Sequence, residues 1–206
     1  MDAFKALEAI ACPLPISGID TDQLIPARFM KRSRADGYGD YLLYDLRFDE
    51  NGRPKPDCPL NALRWQGARI LVTRRNFGSG SSREAAVYAL ADYGFACVVA
   101  PSFGDIFASN AVNNGVLPAT VSEEDCEALL AGLEEGDGTV RVDLEVREIR
   151  AANLIIPFRV DPIWRTKLLN GWDDIDLTLS HFAAIHAFQE KDSGARPWLV
   201  PTSRTA

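Results

Sequence analysis

The chain has 206 residues, 47% of them hydrophobic and 25% charged, with a formal net charge of −7. That supplies apolar material for a sizeable core, while the acidic balance excludes a general nucleic-acid or anionic-membrane surface, which needs a basic face. Residues 1–8 carry Asp2 and Glu8 where a secretory leader carries bases and a continuous apolar core, and no later stretch approaches a membrane span, so a cytoplasmic location is expected.

Residues 16–26 open as a turn, and Pro26 discourages helix at Ile25, so this stretch reads as a functional loop entering a short helix near residues 27–31. Asp20 and Asp22 bracket Thr21 there, and suit turn or cap duty as well as they suit a site. Residues 32–61 turn polar and carry Gly37, Gly39, Gly52, Pro54, Pro56 and Pro59, with Tyr38, Tyr41, Tyr44 and Phe48 among them. This excursion either covers its own patch of core or serves as a lid or docking arm.

The apolar run 68–73 predicts a buried strand and the alanine-rich run 85–91 a helix. Between them lies Asn76-Phe77-Gly78-Ser79-Gly80-Ser81-Ser82-Arg83-Glu84. Gly78 and Gly80 permit backbone angles that other residues resist and remove the Cβ that would keep a ligand from the main chain. Ser81 and Glu84 fit the S-x-x-E capping box, with Ser81 or Ser82 as N-cap. Free N–H groups and the positive end of the helix dipole then point into the loop, where Arg83 adds a charge, and a carboxylate or phosphate is the expected guest. A capped helix start without a ligand is the alternative. No lysine follows Gly80 as in a phosphate-binding P-loop, and Arg83 stands where a dinucleotide fingerprint has its third glycine.

Residues 95–100 form a second apolar run ending at Pro101, 105–114 a short helix stopped by Gly115, and 116–121 a returning strand. Strand and helix alternate, which implies a parallel α/β arrangement with ligand sites at the carboxyl ends of its strands. Residues 123–135 predict an amphipathic helix burying Leu129, Leu130 and Leu133. Residues 139–147 alternate at period two as a half-exposed strand, with 153–160 as its expected partner. Residues 162–169 and 176–191 read as helices, the second turning Leu179, Phe182, Ile185 and Phe188 inward, and the tail is expected to dock by Trp198.

Cys12, Cys58, Cys97 and Cys126 are widely spaced, without a C-x-x-C pair, and read as buried thiols; they offer no recognisable ligand set for an iron–sulfur cluster. His181 and His186 are five apart, off the i, i+4 spacing of paired zinc ligands. With no obvious histidine base, an acid or base must be a carboxylate, lysine, tyrosine or activated serine.

The 76–84 loop, together with residues 20–29, closely resembles the small subunits of 3-isopropylmalate dehydratases in the aconitase superfamily. Residues 102–107 with 114–118 look like that family's second signature, and 168–179 like its bacterial C-terminal extension. The resemblance spans nearly the whole chain. It implies an α/β fold of the aconitase swivelling type, a mostly parallel sheet or partly closed barrel flanked by helices. One such domain would cover residues 1–206, with the excursion 32–61 and a helical extension 162–206. It further implies a separate large subunit holding a [4Fe–4S] cluster, and interconversion of 2- and 3-isopropylmalate by dehydration and rehydration in leucine biosynthesis. Carried over by motif, Ser81 is the catalytic base. Ser82 and Arg83 hold substrate carboxylates, with Gly80, Thr21, Asp22 and, more distantly, Arg28 completing the substrate site. Many family members have cysteine in place of Ser79 and histidine in place of Ala85. Related dehydratases act on citraconate, dimethylmalate or homoaconitate, so the malate stays open, as does a non-catalytic dicarboxylate-binding relative.

Overall fold

The computed structural model describes residues 1–31, 33, 35, 37–80 and 82–199. Ser81 and the tail 200–206 lie outside the described residues.

A seven-stranded sheet runs in the order β4-β3-β2-β1-β5-β6-β7. Its centre is β1 (Ala6–Leu14), whose C-terminal half pairs in parallel with β2 (Ile70–Thr73), from Ala11 opposite Ile70 to Leu14 opposite Thr73. The N-terminal half pairs antiparallel with β5 (Thr139–Asp143). Next to β2 stand β3 (Cys97–Ala100) and β4 (Leu117–Thr120), both parallel. Every residue of β2 and β3 is buried, as continuous apolar runs require when helices cover both faces.

On the other side β5, β6 (Glu148–Ala151) and β7 (Leu154–Pro157) form an antiparallel meander. Just past β7, the Thr120 N–H donates to the Arg159 carbonyl at 3.0 Å and the Arg159 N–H returns to Thr120 at 2.7 Å. The two edges of the sheet therefore meet, curling it into a half-barrel and satisfying edge groups that would otherwise stand open. The partly closed barrel, with equal shares of parallel and antiparallel pairing, is the form the chain adopts.

Crossover helices α3 (Ala85–Tyr93), α4 (Asp105–Asn113) and α5 (Glu123–Glu135) connect the strands. Ser122 caps α5 by accepting from the Asp125 N–H at 3.0 Å, and Cys126, Leu129, Leu130 and Leu133 form its buried stripe. At its other end Arg64 donates to the carbonyls of Leu133 (2.8 Å), Glu134 (3.0 Å) and Gly136 (2.5 Å). Two one-turn helices, α1 (Thr21–Leu24) and α2 (Tyr44–Arg47), lie earlier in the chain, and α6 (Pro162–Asn170), α7 (Asp174–Leu179) and α8 (Phe182–Ala195) build the extension.

Four readings change. The sequence predicts no element at β1, because alanine, Glu8 and Pro13 give it little strand propensity; pairing on both sides makes it the central strand. The 139–147 alternation breaks at a turn with Arg147 at φ 60°, so β5 pairs with β1 and β6, and β7 pairs with β6. The helix expected near 27–31 is a 3-10 turn at Ala27–Phe29, while the helical turn in this loop is α1, capped reciprocally by Asp20 and Gln23. Finally, the second C-terminal helix is two, and Leu179, Phe182 and Phe188 face outward at 55%, 60% and 65% exposed, while Ile185 is half-buried. Trp198 stays 75% exposed among the described residues.

Within the excursion Leu42, Leu43, Cys58 and Leu60 are buried. A Cβ on Gly39 would stand 2.7 Å from the Asp92 main chain, so only glycine lets this strap lie against α3. The Asp92 carboxylate accepts from the Tyr38 N–H at 2.9 Å and fixes the contact.

Candidate active site

Three segments that leave the carboxyl ends of β1, β2 and β3 converge at one end of the sheet. The Gly78 N–H donates to the Ile19 carbonyl at 2.7 Å, the Thr21 N–H to the Ser79 carbonyl at 3.0 Å, and the Phe77 N–H to the Ser102 carbonyl at 3.1 Å. Short parallel bridges join Asp20 to Ser79 and Phe77 to Phe103. The Gly/Ser loop is thus the middle of a three-ply ledge at the strand ends, where parallel sheets place their ligands.

Side chains beneath the ledge fix its shape. Phe77 is wholly buried and meets the Phe107 ring edge-on at 5.3 Å. Gly78 has φ 72°, and a Cβ there would fall 2.1 Å from Phe107 Cγ. A Cβ on Gly104 would reach the Gly78 carbonyl oxygen at 2.6 Å. Both glycines are required by close packing of α4 under the loop. Gly80, at φ 98°, instead faces the open side, where its Cβ would come within 3.7 Å of Thr21 Oγ1.

Thr21 is 1% exposed, and its hydroxyl has no hydrogen-bond partner among the described residues. A buried hydroxyl left unpaired is costly, and native structures retain few of them. Beside Thr21, Arg83 forms an ion pair with Asp22. Asp20 is occupied as the cap of α1, taking the Gln23 N–H at 2.7 Å. Of the sequence-predicted residues, Thr21, Asp22, Gly80 and Arg83 therefore come together, and Ser82 sits exposed beside them. Ser81 lies outside the described residues.

Arg28 stands apart. Its guanidinium makes a bidentate pair with Asp45, lies 4.6 Å from the Phe29 ring centre and 5.6 Å from that of Tyr44. The same hydrogen bonds hold the Asp45 carboxyl below the usual carboxylate range. Asp45 lines a cleft of about 300 Å³ together with Asp20, Asp22, Gln23 and Leu46, so Arg28 reaches that cleft only through its partner. A larger cleft, about 750 Å³, lies between the end of α5 and the β6–β7 hairpin, but no cation lines it to hold a carboxylate.

The start of α3 differs from expectation. The helix begins at Ala85 with Glu84 as its N-cap and no side-chain cap, and the Glu84 carboxylate instead accepts from Asn114 Nδ2 at 3.1 Å. Sequence reasoning assigned no role to Asn114, Phe107 or Gly104. Their only signal is membership of the 102–107 and 114–118 blocks.

A cluster is held by thiolates, and this donor set does not fit one. Burial pushes the Cys12 thiol up to about 12 and Cys126 to about 11, and raises Cys97 too. All four cysteines are free, and the described residues contain no group of three potential ligands. His181 and His186 are exposed on the C-terminal extension, His181 as the N-cap of α8 and His186 within it.

Residues 1–124 match the model of the aconitase C-terminal domain, and residues 174–202 match that of the C-terminal domain of the 3-isopropylmalate dehydratase small subunit. The small subunit of 3-isopropylmalate dehydratase from Parvibaculum lavamentivorans is 44% identical over 97% of this chain and 100% of its own length. The chain belongs to the family of 3-isopropylmalate dehydratase small subunits. A second relative, the small subunit from Rhodospirillum centenum, is 45% identical over 97% of this chain and all of its own. The crystal structure of 3-isopropylmalate dehydratase from Methanocaldococcus jannaschii superposes with a TM-score of 0.61 at 25% identity, covering 91% of this chain and 99% of that one. The half-barrel with its flanking helices is thus the aconitase-type domain of this family.

Proposed function

We propose that this chain is the substrate-gripping half of a hydro-lyase that interconverts 2- and 3-isopropylmalate in leucine biosynthesis, acting in the cytoplasm with a large subunit. The observation that carries this reading is the convergence of the Thr21 hydroxyl, unpaired among the described residues, the exposed Gly80 backbone and the Arg83 guanidinium at the strand ends. In a family whose members are named for a malate substrate, such a site suits a carboxylate.

Arg83 offers a planar fork that matches a carboxylate. Asp22 occupies that fork in the free chain and orients it; a substrate carboxylate would share or take over the contact. Ser82 adds a hydroxyl from the exposed edge. Ser81 is assigned as the base that takes the proton beside a carboxylate. A serine hydroxyl is a weak base, so it needs donors and positive potential around it, and the Gly80 backbone, the start of α3 and Arg83 supply these. Thr21 Oγ–H is assigned as a donor to that serine or to the substrate. The [4Fe–4S] cluster implied by membership of the superfamily is assigned to the large subunit, since this chain's thiols do not fit it; no step on the present residues depends on it. Arg28, bound to Asp45, has a supporting role at the rim.

The test is turnover of the chain alone and paired with the large subunit, across isopropylmalate, citramalate, dimethylmalate and homocitrate, following the unsaturated intermediate by absorbance. Activity is expected only in the pair, and highest on isopropylmalate. Full turnover by the isolated chain, or preference for another malate, contradicts the reading.

A further inference from the structure

A run of side-chain contacts leads from the C-terminal extension to the loop. Lys167 of α6 is 3% exposed, and a buried ammonium must be paired. Its Nζ donates to Asn113 Oδ1 at the end of α4 and to Asp174 Oδ1, 2.6 Å away, at the start of α7. Asn113 Nδ2 closes this triangle on Asp174 Oδ2 at 3.4 Å. The next residue, Asn114, faces the other way. Its Nδ2 donates to Glu84 Oε1 at 3.1 Å and to the Asn110 carbonyl at 2.9 Å. Glu84 adjoins Arg83, and Phe107 and Gly104 of the same α4 segment lie directly beneath Gly78. Helix α4 therefore supports the loop at both ends, and Lys167 anchors α4. Lys167 lies between the matched segments 1–124 and 174–202 and links them through its bonds to Asn113 and Asp174.

We propose that Lys167 is a positioning residue for carboxylate binding: through Asn113, Asn114 and Glu84 it sets where Arg83 stands, so that the C-terminal extension takes part in substrate affinity. The proposal rests on the reading of Arg83 as a carboxylate ligand. A buried Lys–Asp contact that served stability alone would leave the affinity of the assembled enzyme untouched.

The experiment uses the small chain assembled with its large subunit and reads KM and kcat separately. Lys167→Met removes the charge at similar volume. Asp174→Asn is the gentler variant should Lys167→Met fail to fold, because the Asp174 side chain is 74% exposed. Each is expected to raise KM about fivefold, with kcat changed less than about twofold, as for loss of binding common to ground and transition state. In a Glu84→Gln background the Lys167→Met effect should shrink to about twofold or less, since coupled neighbours are not additive. Unchanged KM in Asp174→Asn and Lys167→Met, or full additivity with Glu84→Gln, overturns the proposal. Arg83→Lys separates the two layers. If it raises KM while the Lys167 and Asp174 variants do not, the positioning role alone falls; if it leaves KM unchanged, the carboxylate reading falls and the proposal with it.

Discussion

Thr21 Oγ1 lies buried beside Gly80 without a partner among the described residues, and its worth to the protein is set by what it receives. Thr21→Val keeps the shape and removes the orphan polar group. Stability measured by urea unfolding is expected to stay level or rise by about 1 kcal/mol, because an unsatisfied buried hydroxyl costs about 1–3 kcal/mol. Turnover of the assembled enzyme is expected to fall at least tenfold. A variant that loses stability and keeps its activity would show that Thr21 is only packing. The residue types at this site were legible in the sequence, because two glycines, serines and an arginine within one short loop are a local signal. The pairing of Arg83 with Asp22 was not, since the partners are 61 positions apart and meet only through the bridge of Asp20 to Ser79. The pairing of Arg28 with Asp45 was hidden for the same reason: the partner lies 17 positions on, in a stretch read as loop.

Among the elements, α4 and the Gly/Ser loop form one packed unit. Gly78→Ala would thrust a Cβ into the Phe107 ring and strain a backbone at φ 72°. Overpacking and the left-handed conformation together should cost roughly 2–4 kcal/mol, read as a drop in unfolding free energy. Gly18→Ala, at φ 69° with nothing within 4 Å of its Cβ, carries only the conformational part and should cost about 1–2 kcal/mol. Equal losses at the two sites would contradict the packing described. Elements whose signal is local were readable: α5 matches its predicted span of 123–135, and β2, β3 and α3 follow from apolar runs and alanine content. Elements made by their neighbours were not. β1 becomes a strand because β2 and β5 flank it, and the meander β5-β6-β7 depends on a turn at Arg147 that an alternating pattern hides. In the extension the apolar period is present, but helicity alone cannot say against what it packs. Leu179, Phe182 and Phe188 stay more than half exposed among the described residues.

At the scale of the whole molecule, charge, sheet closure and site location agree. Against a net charge of −7, Arg83 and its partner Asp22 stand where the segments leaving β1, β2 and β3 converge. The described chain has no helix long and apolar enough to cross a membrane. Burial raises the pKa of its thiols, and both histidines lie on the C-terminal extension; on the proposed reading, proton transfer falls to the serine loop. On the proposed reading this chain supplies recognition and a base on one wall of the site, and the large subunit the other. The most direct measurement is therefore kcat of Ser81→Ala in the assembled two-subunit enzyme on 3-isopropylmalate, with assembly checked by co-elution of the two chains. Loss of the base is expected to lower kcat by about 10²–10⁴, the usual contribution of a positioned proton-transfer group, with assembly intact. An assembled Ser81→Ala enzyme that turns over at the unmodified rate would contradict it.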